Sequence, residues 1–123
     1  ENRTAAIRIP AGPSAARRIE HRVAGGDINP YLMLAAVLGA AIQGIEDKTV
    51  PPQAIKGNAY ARQLETLPSD WETAIDLFEK SAHIPRILPK QLIRNFVMTK
   101  RQELQYYGEL SPDERIDLYL DTV

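Results

Sequence analysis

A chain of 123 residues with 44% hydrophobic content carries enough apolar material for one compact unit. Its formal net charge of -1 at pH 7 speaks against a general polyanion binder, which carries a marked basic excess. With no cysteine in the sequence, disulfides and thiolate metal sites are excluded, and the compartment stays undecided on that ground.

In chain order, Thr4 to Ile9 reads as a short strand ended by Pro10, and Ala11-Gly12-Pro13-Ser14 as a turn. Arg17 to Val23 reads as a second strand, and the two are expected to pair antiparallel across a loose connection. Ala24-Gly25-Gly26-Asp27 breaks the chain as a turn. A phosphate loop would need more glycines in register and a helix start after them. Asn29-Pro30 opens a helix, Asn as cap and Pro at the first helical position, that runs to about Asp47.

The apolar run from Pro30 to Ile42 is 13 residues long, short of the roughly 18–20 that cross a bilayer. A helix apolar on all sides belongs in the middle of a larger protein. With a strand starting almost at Glu1 and no signal-peptide pattern, it leads us to expect a piece of a longer chain.

Thr49 to about Pro68 is an irregular crossing segment containing Pro51-Pro52 and Gly57-Asn58. Ser69-Asp70-Trp71-Glu72 has the spacing of a capping box, with Ser69 as cap, before a helix placing Trp71, Ala74, Ile75 and Phe78 on one face. Those aromatics are read as core rather than as a cofactor box. Pro85 and Pro89 bracket a turn, and a long helix from Lys90 to Tyr107 puts Ile93, Val97, Leu104 and Tyr107 on one stripe. Ser111-Pro112-Asp113-Glu114 is a second capping box opening a final short helix. The expected class is α+β: two short antiparallel strands followed by about four helices.

The chemistry concentrates in the first 31 residues. On a strand side chains alternate, so Arg18, Glu20 and Arg22 share one face, and Arg17, Ile19, His21 and Val23 the other. Arg3 and Arg8 would join the charged face if the strands pair. Guanidinium groups hold phosphate oxygens in a fork, and a carboxylate among them can hold a hard divalent cation. A surface strand in which Glu20 pairs with Arg18 or Arg22 accounts for the same residues, and both readings stay open here. His21, on the face opposite Glu20, is read as a packing or solvent-edge residue, and His83 as an exposed loop residue. Of Tyr106 and Tyr107, one is expected buried and one amphipathic.

Three segments carry a resemblance. Asn2-Arg3-Thr4-Ala5-Ala6-Ile7-Arg8-Ile9-Pro10 resembles the "NRSAAIRIP" segment of the glutamine synthetase family. Ala16-Arg17-Arg18-Ile19-Glu20-His21-Arg22 resembles its "ARRIExR" segment, and Asn29-Pro30-Tyr31-Leu32 with the alanine-rich helix resembles its "NPYL" helix. Farther along, the likeness thins to Gly57-Asn58-Ala59-Tyr60, Leu67-Pro68 and Lys100-Arg101-x-Glu103. Leu88-Pro89 stands where the family usually has "LG", so no role is carried over there.

The resemblance implies the C-terminal part of a glutamine synthetase-like catalytic domain, with active-site strands and turn at 1–28 and a helical part at 29–123. It implies an ATP-dependent ligase that phosphorylates the side-chain carboxylate of glutamate before an amine, ammonia or larger, displaces the phosphate. Arg3 and Arg8 would contact the transferred phosphoryl group and neighbouring phosphates, and Arg18 the nucleotide phosphates. Glu20 would bind one Mg²⁺ or Mn²⁺, and Arg22 the glutamate carboxylate. The parent would be a cytoplasmic homo-oligomeric ring with sites between subunits, engaging neither nucleic acid nor membrane. The remaining metal ligands, the adenine pocket and the flap over glutamate lie upstream in the family, so these residues alone are expected to be inactive. The segment His21-Arg22-Val23-Ala24-Gly25-Gly26-Asp27-Ile28-Asn29 is similar to the branch that joins glutamate to polyamines and other amines. A nucleic-acid or anion-binding module would extend its basic surface past the strands, whereas acidic residues dominate after Glu103. A purely structural oligomerisation module would leave Arg18, Glu20 and Arg22 replaceable.

Overall fold

The computed structural model describes residues 2–122. Glu1 and Val123, the limits of the expected unit, lie outside the described residues. Two short strands, β1 (Ile7–Arg8) and β2 (Glu20–His21), pair antiparallel and are followed by α1 (Pro30–Glu46), α2 (Trp71–Lys80), α3 (Lys90–Gly108) and α4 (Pro112–Thr122). The α+β class and the order of elements are those expected. Both strands are shorter than expected, because Pro10 and a 3₁₀ turn at Ser14–Ala16 interrupt the extended backbone between them.

The helix starts are set by side chains. Asn29 Oδ1 accepts the N–H groups of Tyr31 at 3.0 Å and Leu32 at 3.1 Å, which begins α1 directly after the strand pair. At α2 the cap is Asp70 rather than the expected Ser69: its carboxylate accepts the Thr73 N–H at 2.7 Å and hydroxyl at 2.8 Å. Trp71 is the first helical residue, which puts Thr73 three positions after Asp70 and leaves Glu72, two positions after it, one short of the box position. A negative cap also suits the positive end of the helix. The second box forms as expected: the Ser111 N–H donates to Glu114 at 2.8 Å, and the Glu114 N–H to Ser111 Oγ at 3.4 Å.

The tightest packing joins α2 to α3. Ile75 and Val97 are buried between them, Phe78 meets Phe96 at 5.3 Å between ring centroids, and Trp71 meets Tyr107 at 5.8 Å. Tyr119 of α4 stacks on Tyr107 at 4.9 Å. Arg101 fastens the exposed flank, reaching Asp76 at 2.7 Å and Glu79 at 2.6 Å.

Helix α1 docks on this pair through the turn at Ile84–Arg86. Arg86 grips Asp47 with two hydrogen bonds of 2.6 and 2.9 Å, and the buried Gln43 amide donates to the His83 carbonyl at 3.2 Å. Gly39 lies so close to Ile87 that a Cβ would collide with its side chain. The opposite face of α1 is bare: Leu38 is 60% and Ile45 77% exposed, with Leu34 and Ile42 more than half exposed. Burying one such side chain contributes about 1.5–3 kcal/mol, so the uncovered face represents several side chains' worth of unrealised stabilisation.

Gly39→Ala sets a helix-propensity gain of about 1 kcal/mol against an overpacking cost of about 1–3 kcal/mol. A lower melting temperature is expected, with a smaller drop when Gly39→Ala is made on an Ile87→Ala background, which lacks the two Cγ atoms that the new Cβ meets. A rise in Gly39→Ala alone would show that α1 does not rest on Ile87. The bare face of α1 leads to a second expectation, that the 123-residue chain self-associates in sedimentation or melts without a sharp transition. A cooperative monomer would contradict it.

Candidate functional site

The register of the strand pair builds the site. Arg8 lies directly opposite Glu20, and Ile7 opposite His21. Cross-strand partners project to the same side of a pleated pair, so the Arg8 and Glu20 side chains are forced together. They meet as a fork, Arg8 Nε to Glu20 Oε2 at 2.7 Å and Nη2 to Oε1 at 2.8 Å. The Arg22 N–H extends the ladder to the Ala6 carbonyl at 2.9 Å. Arg3, Arg8, Glu20 and Arg22 thereby line one cavity of about 210 Å³.

Arg18 does not line it. Its guanidinium reaches Glu20 Oε1 from the rim at 3.2 Å, with 61% of the side chain exposed. The ion-pair reading of the strand is therefore realised with Arg18 but not with Arg22. The main partner of Glu20 is Arg8, across the pair. Arg22 instead donates Nη1 to the Asn2 carbonyl at 2.7 Å. Among the described residues no carboxylate pairs with Arg3 or Arg22. His21 and His83 are both exposed.

The electrostatics follow from this count of charges. Hydrogen bonding by Arg8 holds the Glu20 carboxyl below its ordinary value, and the charges of Arg8 and Arg18 act in the same direction. Glu20 is thus ionised at neutral pH, yet three guanidinium groups in the cavity and a fourth at its rim outnumber it, and the cavity is suited to an anion with several oxygens. Among the described residues no group of three or more metal-ligating side chains is placed to hold a cation, and both Glu20 oxygens accept from guanidinium. These residues by themselves do not make a magnesium site, which wants six oxygens.

A larger cavity of about 620 Å³ lies between α1 and the α2–α3–α4 group, walled by Leu32, Met33, Trp71, Phe78, Leu92 and Phe96. Lys100 sits over the Trp71 and Phe96 rings at its edge, paired with Glu103 at 2.6 Å. Trp71 and Phe78 are half-buried packing residues, as read from their spacing. Tyr107 is half-buried and Tyr106 exposed.

The sequence reading missed the support of the site. Asn2 and Thr4 are hydrogen-bonded to the segment at 55–59, more than fifty residues away. Gly57, with φ of +81°, turns that segment. Gly57-Asn58 was legible only as part of an irregular crossing segment, and nothing in the local pattern tells where such a segment lands.

Comparison with known proteins gives this arrangement its context. A family profile described as "Glutamine synthetase, catalytic domain" matches residues 1–119. The gamma-glutamylputrescine synthetase of Escherichia coli is 30% identical over 97% of this chain and 25% of its own length. A glutamate–isopropylamine ligase of a Pseudomonas species is 32% identical over 100% of this chain and 28% of its own. A glutamine synthetase of Clostridium saccharobutylicum is 30% identical over 98% and 29%. The chain spans about a quarter of the length of these relatives.

The depressed Glu20 pKa fixes a pH dependence. A carboxyl lowered in the folded state adds stability above its unfolded value and loses it as pH falls through the folded one. The Arg8–Glu20 pair is therefore expected intact at neutral pH and to open only in acid, below the ordinary value of 4.5. Carboxyl-carbon NMR should find Glu20 titrating below 4.5, and Arg8→Gln should move the midpoint back up. An unshifted midpoint in Arg8→Gln would show that Arg8 is not the group that holds it down.

Proposed function

The chain belongs to the glutamine synthetase family, and from that premise we propose that it forms the C-terminal part of the catalytic domain of an ATP-dependent ligase acting on glutamate. The observation that carries the reading is the shared cavity of Arg3, Arg8, Glu20 and Arg22. Residues 1–28 supply this part of the active site, and 29–123 the helical support.

In the first step a side-chain carboxylate oxygen of glutamate attacks the γ-phosphorus of ATP and ADP leaves. In the second an amine nitrogen attacks the acyl carbon, inorganic phosphate leaves and the amine loses a proton. Charge on the phosphoryl oxygens is the main obstacle, and fixed cations are the remedy a protein can supply. Arg3 and Arg8 hold the transferred phosphoryl oxygens, Arg18 reaches the nucleotide phosphates from the rim, and Arg22 holds the glutamate carboxylate. Glu20 would be one ligand of a Mg²⁺ or Mn²⁺ ion, which would offset charge on the phosphoryl oxygens, with the other ligands coming from outside these 123 residues. In that role its carboxylate would give up its bonds to Arg8, which would leave the Arg8 guanidinium to phosphate oxygens.

The acceptor is ammonia or a larger amine: amine ligases and glutamine synthetases stand at similar identity to the chain. The polyamine-type segment at 21–29 favours the larger amine. The parent protein is a cytoplasmic ring-forming homo-oligomer. Among the described residues no helix is long and apolar enough to cross a membrane, and the net charge of -1 gives nucleic acid no footprint.

The test is glutamate-dependent phosphate release by the longer parent protein, with ammonia and a panel of polyamines as acceptors. Release that requires glutamate and falls by about two orders of magnitude or more in Glu20→Gln is expected. The 123-residue chain alone should release phosphate at the blank rate. A folded, metal-loaded parent that releases none with any acceptor would leave a non-catalytic anion-binding or oligomerisation module instead.

A further inference from the structure

The two cavity arginines with no carboxylate partner among the described residues, Arg3 and Arg22, are also the two bound most closely to one small hydrogen-bonded knot. Arg3 stands between Asn2 and Thr4, and Arg22 donates to the Asn2 carbonyl at 2.7 Å. The Asn2 amide nitrogen donates to the Gly57 carbonyl at 2.8 Å and, more weakly, to that of Ile55 at 3.4 Å. Its Oδ1 accepts both the Thr4 N–H at 3.0 Å and the Thr4 hydroxyl at 2.6 Å. Thr4 Oγ1 in turn accepts the N–H of Ala59, one of the few buried residues, at 2.8 Å. The Thr4 hydroxyl thus donates its one proton and accepts with one of its two lone pairs.

We infer that Asn2 and Thr4 are positioning residues, through which the crossing segment at 55–59 sets where Arg3 and Arg22 present their guanidinium groups. The inference rests on reading the cavity as the phosphate and carboxylate site of the ligase. Its physical basis is that a strand of two residues cannot hold its flanking turn by ladder bonds alone. Residues 2–4 precede β1, and their outside anchors in the described structure are this segment and Arg22. A shift of Gly57 or Ala59 carries Asn2 with it, and with Asn2 the acceptor that aims Arg22. Misplacing a charged group by about 1 Å in such a site costs up to a hundredfold in rate.

The substitution that isolates the effect is Thr4→Val in the longer parent protein. Valine keeps the shape and removes both hydrogen bonds, leaving the Ala59 N–H buried without a partner. Thr4→Ser keeps both bonds. Gly57→Ala acts from the other end: its Cβ meets nothing within 4 Å, but φ of +81° strains it and moves the carbonyl that Asn2 grips. Lys80→Ala is the control, since Lys80 is an exposed residue of α2 that pairs with Asp76 and bonds none of these residues.

Two readouts are taken: the kinetics of glutamate-dependent phosphate release, and equilibrium binding of inorganic tripolyphosphate. In Thr4→Val we expect kcat to fall and the glutamate KM and the tripolyphosphate Kd to rise, each about tenfold, with full binding stoichiometry. Thr4→Ser and Lys80→Ala should stay near the unsubstituted protein. A merely structural role would lower the fraction of active protein and leave KM and Kd unchanged, and that result overturns the inference. Should Thr4→Val fail to fold, Gly57→Ala is judged by the same constants. A parent with no ligase activity whose tripolyphosphate affinity still drops in Thr4→Val would refute the ligase reading while upholding the positioning role. Unchanged affinity would refute the positioning role whatever the activity.

Discussion

One cross-strand pair organises the functional end of this molecule. Because Arg8 faces Glu20 across a two-stranded antiparallel ribbon, the fork between them fixes the register and defines the side on which the other charged groups gather. Slipping the register by one residue would send Glu20 to the opposite face and empty the cavity of its carboxylate. The pair also sets the chemistry. A lone carboxylate among guanidiniums stays ionised, and the surplus of positive charge is left to meet an anion. In such a small ribbon the fork is a substantial part of what defines the geometry, since a two-stranded hairpin is marginally stable in water.

The remainder of the fold divides into what is satisfied and what is bare. The α2–α3 pair closes its own core and staples its outer edge with Arg101. Helix α1 touches that pair through Gly39, Gln43 and Asp47 but leaves Leu34, Leu38, Ile42 and Ile45 exposed. With only Ala59, Ile75 and Val97 as buried hydrophobic residues among those described, the burial that stabilises a domain of this size is largely missing. That fits a chain spanning about a quarter of its relatives' length.

What the sequence disclosed follows from the range of each interaction. Caps and periodicity are local, so Asn29, the box at Ser111–Glu114 and the stripes on α2 and α3 were legible; the cap at Asp70 was displaced by one residue because Thr73, not Glu72, answered it. Strand alternation correctly grouped Glu20 with Arg22, and pairing brought Arg3 and Arg8 to them. Strand parity could not tell that Arg18 would stop at the rim, since an exposed side chain is placed by its partners rather than by the pleat. Nor could it show that Glu20 would choose Arg8, or that Asn2 and Thr4 would be held from residues 55–59. Those contacts are set by tertiary approach, which no local pattern encodes.

The central claim is that the Arg8–Glu20 pair is the resting form of a phosphoryl-transfer site. A crystal structure of the longer parent protein with a non-hydrolysable ATP analogue, a divalent cation and glutamate tests it most directly. The account predicts Arg3 and Arg8 on the terminal phosphate, Arg22 on the glutamate carboxylate, and Glu20 released from Arg8 onto the metal. An Arg8–Glu20 fork left intact, with nucleotide and glutamate bound elsewhere, would contradict it.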